Sequence, residues 1–334
     1  MRYIVIGAGA VGGSIGASLF AAGSPVVLVA RGAHRDRIAG AGLQFATPRG
    51  TRNLQIPVVS GPEEVDLTLD DVLVVAVKVQ NSLEVMEAWS GRPVSGGGTA
   101  GTRLPLVCAQ NGVEGERIAL RRFARVYGMC VVLPASYLAP GWIDAIGHPM
   151  VGALTIGSYP TGVDPFVERM CADLWDADIA GYSSPAVMRW KYTKLLANLG
   201  NALEAICGSI DGTAAVALLE RARTEGELTL RVAGIDYADR AEDDGRNLRM
   251  ETGEIPGRPR PGGSTWQSLA RGTGSLETDY LSGEIALLGR LHGVPTPINA
   301  TVSRIAADLA HRREPPGSMT AEQLTVLIDQ AIGD

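Results

Sequence analysis

The sequence predicts an α/β fold: an open, doubly wound parallel sheet in the first part, followed by an all-helical second domain. Three observations carry that expectation. Short β-branched runs alternate with helical stretches in the first half; the runs are continuously apolar, as strands buried on both faces are; and strand signals stop after Ser183. The expected domains are therefore 1–182 and 183–334.

Taken in order, residues 2–6 read as a strand, 11–22 as a helix and 26–30 as a second strand. Residues 72–77 and 104–109 are further buried strands, each an aliphatic run flanked by charge or turn residues. Between them, 43–47 and 54–59 read as two arms of a hairpin around Pro48-Arg49-Gly50. From 126 to 157, strands broken by Pro140-Gly141 and Gly147-His148-Pro149 suggest an antiparallel extension. In the second half, 185–206 reads as one long helix stopped by Gly208. Residues 214–237, 264–271, 275–292 and 300–313 are also helical in pattern, and the Gly- and Pro-rich stretch 251–263 reads as a surface loop.

Composition narrows the function. The chain has 334 residues, 46% of them apolar and 20% charged, so it can bury a core and is not a disordered chain. A net charge of −6 argues against nucleic acid, which needs a basic face to displace counterions. The four cysteines, Cys108, Cys130, Cys171 and Cys207, form no CxxC pair and suit a reducing compartment. Met1 leads straight into a strand, and the aliphatic run 72–77 is too short to span a bilayer. A soluble cytoplasmic protein, with no membrane or nucleic-acid partner, is expected.

The opening strand runs into Gly7-Ala8-Gly9-Ala10-Val11-Gly12, a Gly-x-Gly-x-x-Gly between strand and helix. Gly7 permits a tight turn, Gly9 lets a pyrophosphate approach the backbone, and Gly12 lets helix and strand pack closely. The helix N-terminus then offers free N–H groups to the phosphates. This is a Rossmann-type dinucleotide turn. The second strand ends in Arg31, with no carboxylate before Asp36, so a guanidinium stands where NAD-selective sites place an acid. That favours NADP, whose 2′-phosphate an arginine can grip bidentately.

Two polar residues sit just past buried strands, where open α/β sheets bind ligands: Lys78 and Asn111. On the long helix expected at 185–206, Lys194, Asn198 and Asn201 fall at i, i+4 and i+7 and share one face, with Lys191 near the same stripe. Asparagines are poor helix formers, so two aligned beneath a lysine suggest a polar wall; the lysine could protonate a developing alkoxide. Glu277 is expected to open the helix 275–292 and to line up with Leu281 and Glu284. Ser264, with Gln267, matches a capping box.

Together these segments resemble the ketopantoate reductase (2-dehydropantoate 2-reductase) family. The resemblance rests on the Gly7–Gly12 turn, Val77-Lys78, Gln110-Asn111-Gly112-Val113, Lys194-Leu195-Leu196-Ala197-Asn198 with Asn201, and Glu277-Thr278-Asp279-Tyr280-Leu281-Ser282-Gly283. It implies an N-terminal Rossmann-type domain, a helical C-terminal domain and an NADPH-dependent reduction of 2-dehydropantoate to pantoate, for pantothenate synthesis. By the same resemblance Lys194 is the general acid, with Lys191 as the rival donor. Asn111 lies near nicotinamide and substrate, and Lys78 near the cofactor. Asn198, Asn201 and Ser264 bind the substrate's carboxylate or hydroxyl, and Glu277 accepts a hydrogen bond from its terminal hydroxyl. Another 2-oxo or 3-oxo substrate on the same scaffold, or a non-catalytic NADP sensor, are the alternatives. The expected partner is a small 2-oxo acid; a homodimer is left open, and no metal is implied.

Overall fold

Burial on both faces makes the first strands continuous apolar runs, and the computed structural model, which describes residues 1–246, 248–258, 262–272 and 274–333, shows how. The chain divides into two units: Met1–Trp190 with Asp244–Pro259, and Lys191–Asp243 with Arg260–Asp334. The first unit opens with β1 (Arg2–Ile6), α1 (Ala10–Ala21), β2 (Val26–Val29), α2 (Gly32–Ala41), β3 (Leu43–Thr47), β4 (Gly50–Leu54) and β5 (Val58–Val59). There follow β6 (Leu67–Thr68), β7 (Asp71–Val75), α3 (Ser82–Ser90), β8 (Val94–Ser95), α4 (Ala100–Arg103), β9 (Pro105–Cys108) and α5 (Gly115–Leu120). It continues through β10 (Arg125–Val132), β11 (Ala135–Ser136), β12 (Trp142–Ala145), β13 (Gly147–Pro149), β14 (Gly152–Ser158), α6 (Pro165–Asp176) and β15 (Ile179–Ser183).

The main sheet has eight strands in the order β15-β14-β10-β9-β7-β1-β2-β5. All neighbours run parallel except β10 and β14. Along β1, Tyr3 and Val5 enter one core with Leu28, Val74 and Val107; Ile4 and Ile6 enter the other with Val29, Val75 and Leu106. This two-residue alternation into two dry cores is the doubly wound architecture. The order reverses at β1, which has β2 on one side and β7 on the other, so the loops leaving β1 and β7 open the crevice where such sheets take ligands.

Three expectations are corrected here. The second hairpin arm is β4, not 54–59: residues 58–59 instead pair parallel with β2 at the edge of the main sheet, because Pro57 interrupts the arm and its carbonyl accepts the Leu28 N–H at 2.8 Å. The stretch 126–157 serves three sheets: β10 and β14 extend the main sheet as an antiparallel pair, β11 and β12 join β3 and β4 in a four-stranded sheet, and β13 belongs to a separate two-stranded one. Strands also do not end at Ser183, as the second half shows.

That half contains α7 (Val187–Asn198), α8 (Gly200–Cys207), α9 (Thr213–Val232), α10 (Arg240–Asp244), β16 (Met250–Thr252), α11 (Ser264–Ala270), α12 (Ser282–His292), α13 (Pro297–Arg312) and α14 (Ala321–Gly333). Strand β16 pairs antiparallel with β13, within the segment that belongs to the first unit. Arg246 stacks over Trp190 at 4.1 Å and Arg258 over Trp142 at 4.2 Å, fastening the segment to that unit. The loop expected at 251–263 is thus partly strand, and its residues 259–261 lie outside the described ones. The second unit packs Leu203, Ile206, Leu218, Val302, Leu324 and Ile328 into a helical core. Among the described residues, no helix is long and apolar enough to cross a membrane.

Candidate functional site

Each glycine of the opening turn has its own physical reason. Gly7 has φ +102°, and a Cβ there would sit 2.8 Å from the Val77 amide and side chain, so a side chain is excluded twice. A Cβ on Gly12 would strike the Gly7 carbonyl and lie 2.8 Å from the Ala76 methyl, which sets how closely α1 lies on the strands. At Gly9 a Cβ would meet nothing of the chain within 4 Å. Gly9 therefore borders open space. Among the described residues no side chain caps α1, and its first turn holds no acid, so its leading N–H groups face that space. Turn, clearance and open helix end together fit a dinucleotide pyrophosphate.

Beside the turn lies a cleft of about 320 Å³ lined by Gly7, Gly9, Arg31, His34, Asn81 and Glu84, among others. Arg31 stands at the N-cap of α2 with its side chain 74% exposed. Its guanidinium lies 3.5 Å from the Glu84 carboxylate of α3. The sequence holds no carboxylate between Arg31 and Asp36; the fold delivers one from a distant helix. His34 is a second residue that pattern reading passed over. The Gly141 N–H donates to its Nδ1 at 2.9 Å, which leaves the proton on Nε2 to be donated to the Ala8 carbonyl at 2.8 Å. Burial pushes the imidazole pKa below its usual value, in keeping with this neutral form. His34 thereby pins the phosphate turn to the loop before β12.

Lys78 and Asn111 each lie three residues past the last paired residues, Val75 and Cys108, of the neighbouring parallel strands β7 and β9. Both are half-buried. Gln110 holds the two ends together: its amide donates to the Val77 carbonyl at 2.7 Å and to the Ser82 hydroxyl at 2.8 Å, and the side chain is buried. A glutamine in this place was visible in the sequence only as the neighbour of Asn111.

In the second unit, Lys194 and Asn198 do share a face of α7, and Lys194 is half-buried while Asn198 is 7% exposed. Lys191, on the same side, is 3% exposed. The single helix expected at 185–206 is interrupted: the Leu199 N–H reaches back only to Leu196, at 3.3 Å, and α8 starts afresh at Gly200. Asn201 therefore belongs to another helix. It stands with Glu204, whose carboxylate accepts the Gly263 N–H at 2.8 Å at the start of α11. Ser264 is consequently not a capping residue: Gly263 occupies the cap, Glu204 supplies the acceptor from another helix, and Ser264 is exposed in the first turn. Glu277 is likewise displaced from its expected place at the start of a helix. It precedes a short 3-10 turn, Thr278–Tyr280, and α12 begins only at Ser282, so Glu277 is not in line with Leu281 and Glu284.

A glycine turn at the switch point of a doubly wound sheet, with an uncapped helix start and polar residues past neighbouring strand ends, defines a dinucleotide-binding scaffold. The family model for ketopantoate reductase PanE/ApbA matches residues 3–161, and the model for its C-terminal part matches 186–310. The chain therefore belongs to the ketopantoate reductase family, a family of oxidoreductases acting on CH–OH groups. It is 28% identical over 201 residues to the 2-dehydropantoate 2-reductase of Pyrococcus abyssi, a match covering 59% of this chain and 61%, under two thirds, of that protein. It is 24% identical over 305 residues to the enzyme of the same name from Pyrococcus horikoshii, covering 90% of this chain and 94% of that one. A PanE/ApbA family ketopantoate reductase from Ralstonia eutropha JMP134 superposes with a TM-score of 0.77 at 25% identity, over 94% of this chain and 100% of that one. The group that the Gly7–Gly12 turn fits is accordingly a nicotinamide dinucleotide.

Proposed function

We propose that the chain reduces the C2 carbonyl of 2-dehydropantoate to pantoate with NADPH. The observation that carries this reading is the family match across both halves of the chain, residues 3–161 and 186–310. When bound, the nicotinamide supplies the hydride. The chain's residues bind, orient and protonate. The N–H groups at the start of α1 hold the pyrophosphate in the space beside Gly9, and Arg31 grips the 2′-phosphate. Lys78 and Asn111, past the ends of neighbouring strands, orient nicotinamide and carbonyl. Lys194 gives its Nζ proton to the carbonyl oxygen as alkoxide character develops, a contribution of about 10²–10⁴ in rate. Asn198, Asn201 and Ser264 orient the substrate's carboxylate or hydroxyl, and Glu277 accepts from its terminal hydroxyl. Lys191 is the other ammonium on α7 and the second candidate for donor. A cytoplasmic setting fits the four free thiols. Light scattering of the full chain decides whether it forms the homodimer left open above.

One observation favours a different 2-oxo acid: Glu277, the acceptor for the terminal hydroxyl, stands outside α12 rather than on its face. Steady-state assays with NADPH separate the two. Ketopantoate should exceed 2-oxo acids lacking that hydroxyl by at least about tenfold in kcat/KM, since a site built to bond a hydroxyl rejects analogues without one. Equal turnover would move the assignment to the broader substrate class, and no turnover of any oxo acid would overturn it.

A further inference from the structure

We propose that Glu84 is a specificity-determining residue that opposes the NADP preference of Arg31 and lets the cleft accept NADH as well as NADPH. The inference rests on the reading of this cleft as a nicotinamide dinucleotide site. Arg31 and Glu84 come from different helices, the start of α2 and the first turn of α3, and meet at 3.5 Å on the wall of the cleft that begins at Gly7 and Gly9. An acid in a first helical turn is favoured by the helix dipole whatever its function. What sets Glu84 apart is that it lines the cleft and lies 3.5 Å from the Arg31 guanidinium. Among the described residues lining that cleft, Arg31 and Glu84 carry the only formal charges, because His34 is held neutral. Glu64, whose carboxylate accepts the Ser60 N–H at 3.1 Å behind the lining, is engaged by the backbone, so Arg31 and Glu84 are the charged groups the cleft itself presents.

The chemistry has opposite signs for the two coenzymes. A 2′-phosphate takes the guanidinium bidentately, but it must displace the carboxylate and then sit close to its negative charge. A ribose 2′-hydroxyl has a proton to donate, and a carboxylate is the acceptor that NAD-selective sites use. The ion pair does not lock Arg31 away: both side chains are about three-quarters exposed, 74% and 72%, so the guanidinium keeps donors facing outward. Glu84 thus weakens NADPH without abolishing its binding, and strengthens NADH.

Fluorescence titration of the full chain with each coenzyme, with no oxo acid present, tests this directly, and competition by 2′,5′-ADP against 5′-AMP isolates the adenosine end. In Glu84→Gln the Kd for NADPH should fall roughly three- to tenfold, the effect of removing one charge near a phosphate, while the Kd for NADH rises. Arg31→Ala should erase the preference for 2′,5′-ADP. A Kd ratio that stays put or moves the other way in Glu84→Gln overturns the proposal, as does failure of both coenzymes to bind. Binding that responds as expected in a protein that turns over no ketopantoate would sink the substrate reading and leave this one standing. Turnover with an unmoved ratio would do the reverse.

Discussion

The phosphate turn at Gly7–Gly12 and the interruption at Leu199 are both short backbone features, yet they depend on different things. The turn is written in the residues that form it. Gly7 and Gly12 are excluded from carrying a Cβ by atoms of Ala76 and Val77, and Gly9 leaves room for a ligand, so the demand reads directly as glycine. At Leu199 the residue types mark the break only ambiguously: Asn198 and Gly200 flank it, but Leu195, Leu196, Leu199 and Leu203 all bury on the expected apolar arc, so the apolar period runs straight through. A site coded by steric exclusion survives translation from pattern to structure. At Leu199 the apolar phase runs on while the hydrogen-bond ladder breaks, so the pattern does not show where one helix ends and the next begins.

The largest expected effect tests the phase-coded region. Lys194→Ala should lower kcat by about 10²–10⁴ while the Kd for NADPH, measured by titration, stays within twofold or so. If Lys191→Ala gives that pattern instead, the donor lies one turn earlier on α7. The next effect separates the two uses of glycine within the turn. Gly12→Ala drives a methyl into the Gly7 carbonyl and should cost about 1–3 kcal/mol or more of stability, seen as a lowered Tm in the absence of coenzyme. Gly9→Ala meets no protein atom, so its Tm should match the parent while NADPH binding weakens by about tenfold or more. A falling Tm in Gly9→Ala would remove the argument that its space is kept for a ligand.

How much was legible follows the same division. Strands β1, β2, β7 and β9 could be read because both faces are buried, which turns each strand into an unbroken apolar run, whereas their order in the sheet could not. Strand β16 could not, since three residues of mixed polarity in a Gly- and Pro-rich stretch become a strand only by pairing with β13 under the hold of Arg246 and Arg258. Lys78 and Asn111 were visible from their position after buried strands. Gln110, Glu84 and Glu204 were not, because each acts on a partner far away in sequence: the Val77 carbonyl, Arg31 and the Gly263 N–H. Ser264 shows the cost of a local rule. Its capping pattern is present, but a carboxylate from α8 occupies the role.

That carboxylate supplies the third test. Glu204→Ala strips the acceptor from the start of α11 and should cost about 1 kcal/mol, a Tm lower by roughly 2–4 °C, with NADPH binding unchanged. A loss of coenzyme affinity without a Tm shift would show that Glu204 is more than a helix cap.

The smallest effect concerns how the turn is held. His34 accepts from Gly141 and donates to Ala8 as a neutral ring, and burial lowers its pKa from the usual 6.5. The folded state therefore binds this proton less readily than the unfolded chain does. The contribution to stability is complete above pH 6.5 and is lost as the pH falls through that value towards the lowered one, where protonating Nδ1 must break the bond from Gly141. Apo-protein Tm should decline on going from pH 7.5 to 5.5, and coenzyme affinity with it, since Ala8 lies in the turn. His34→Gln keeps a donor but does not titrate, so it should flatten the affinity profile across this range at a Tm within about 2 °C of the parent at pH 7.5. An affinity profile that keeps its slope in His34→Gln would mean that the turn is held without the imidazole, by the glycine geometry alone.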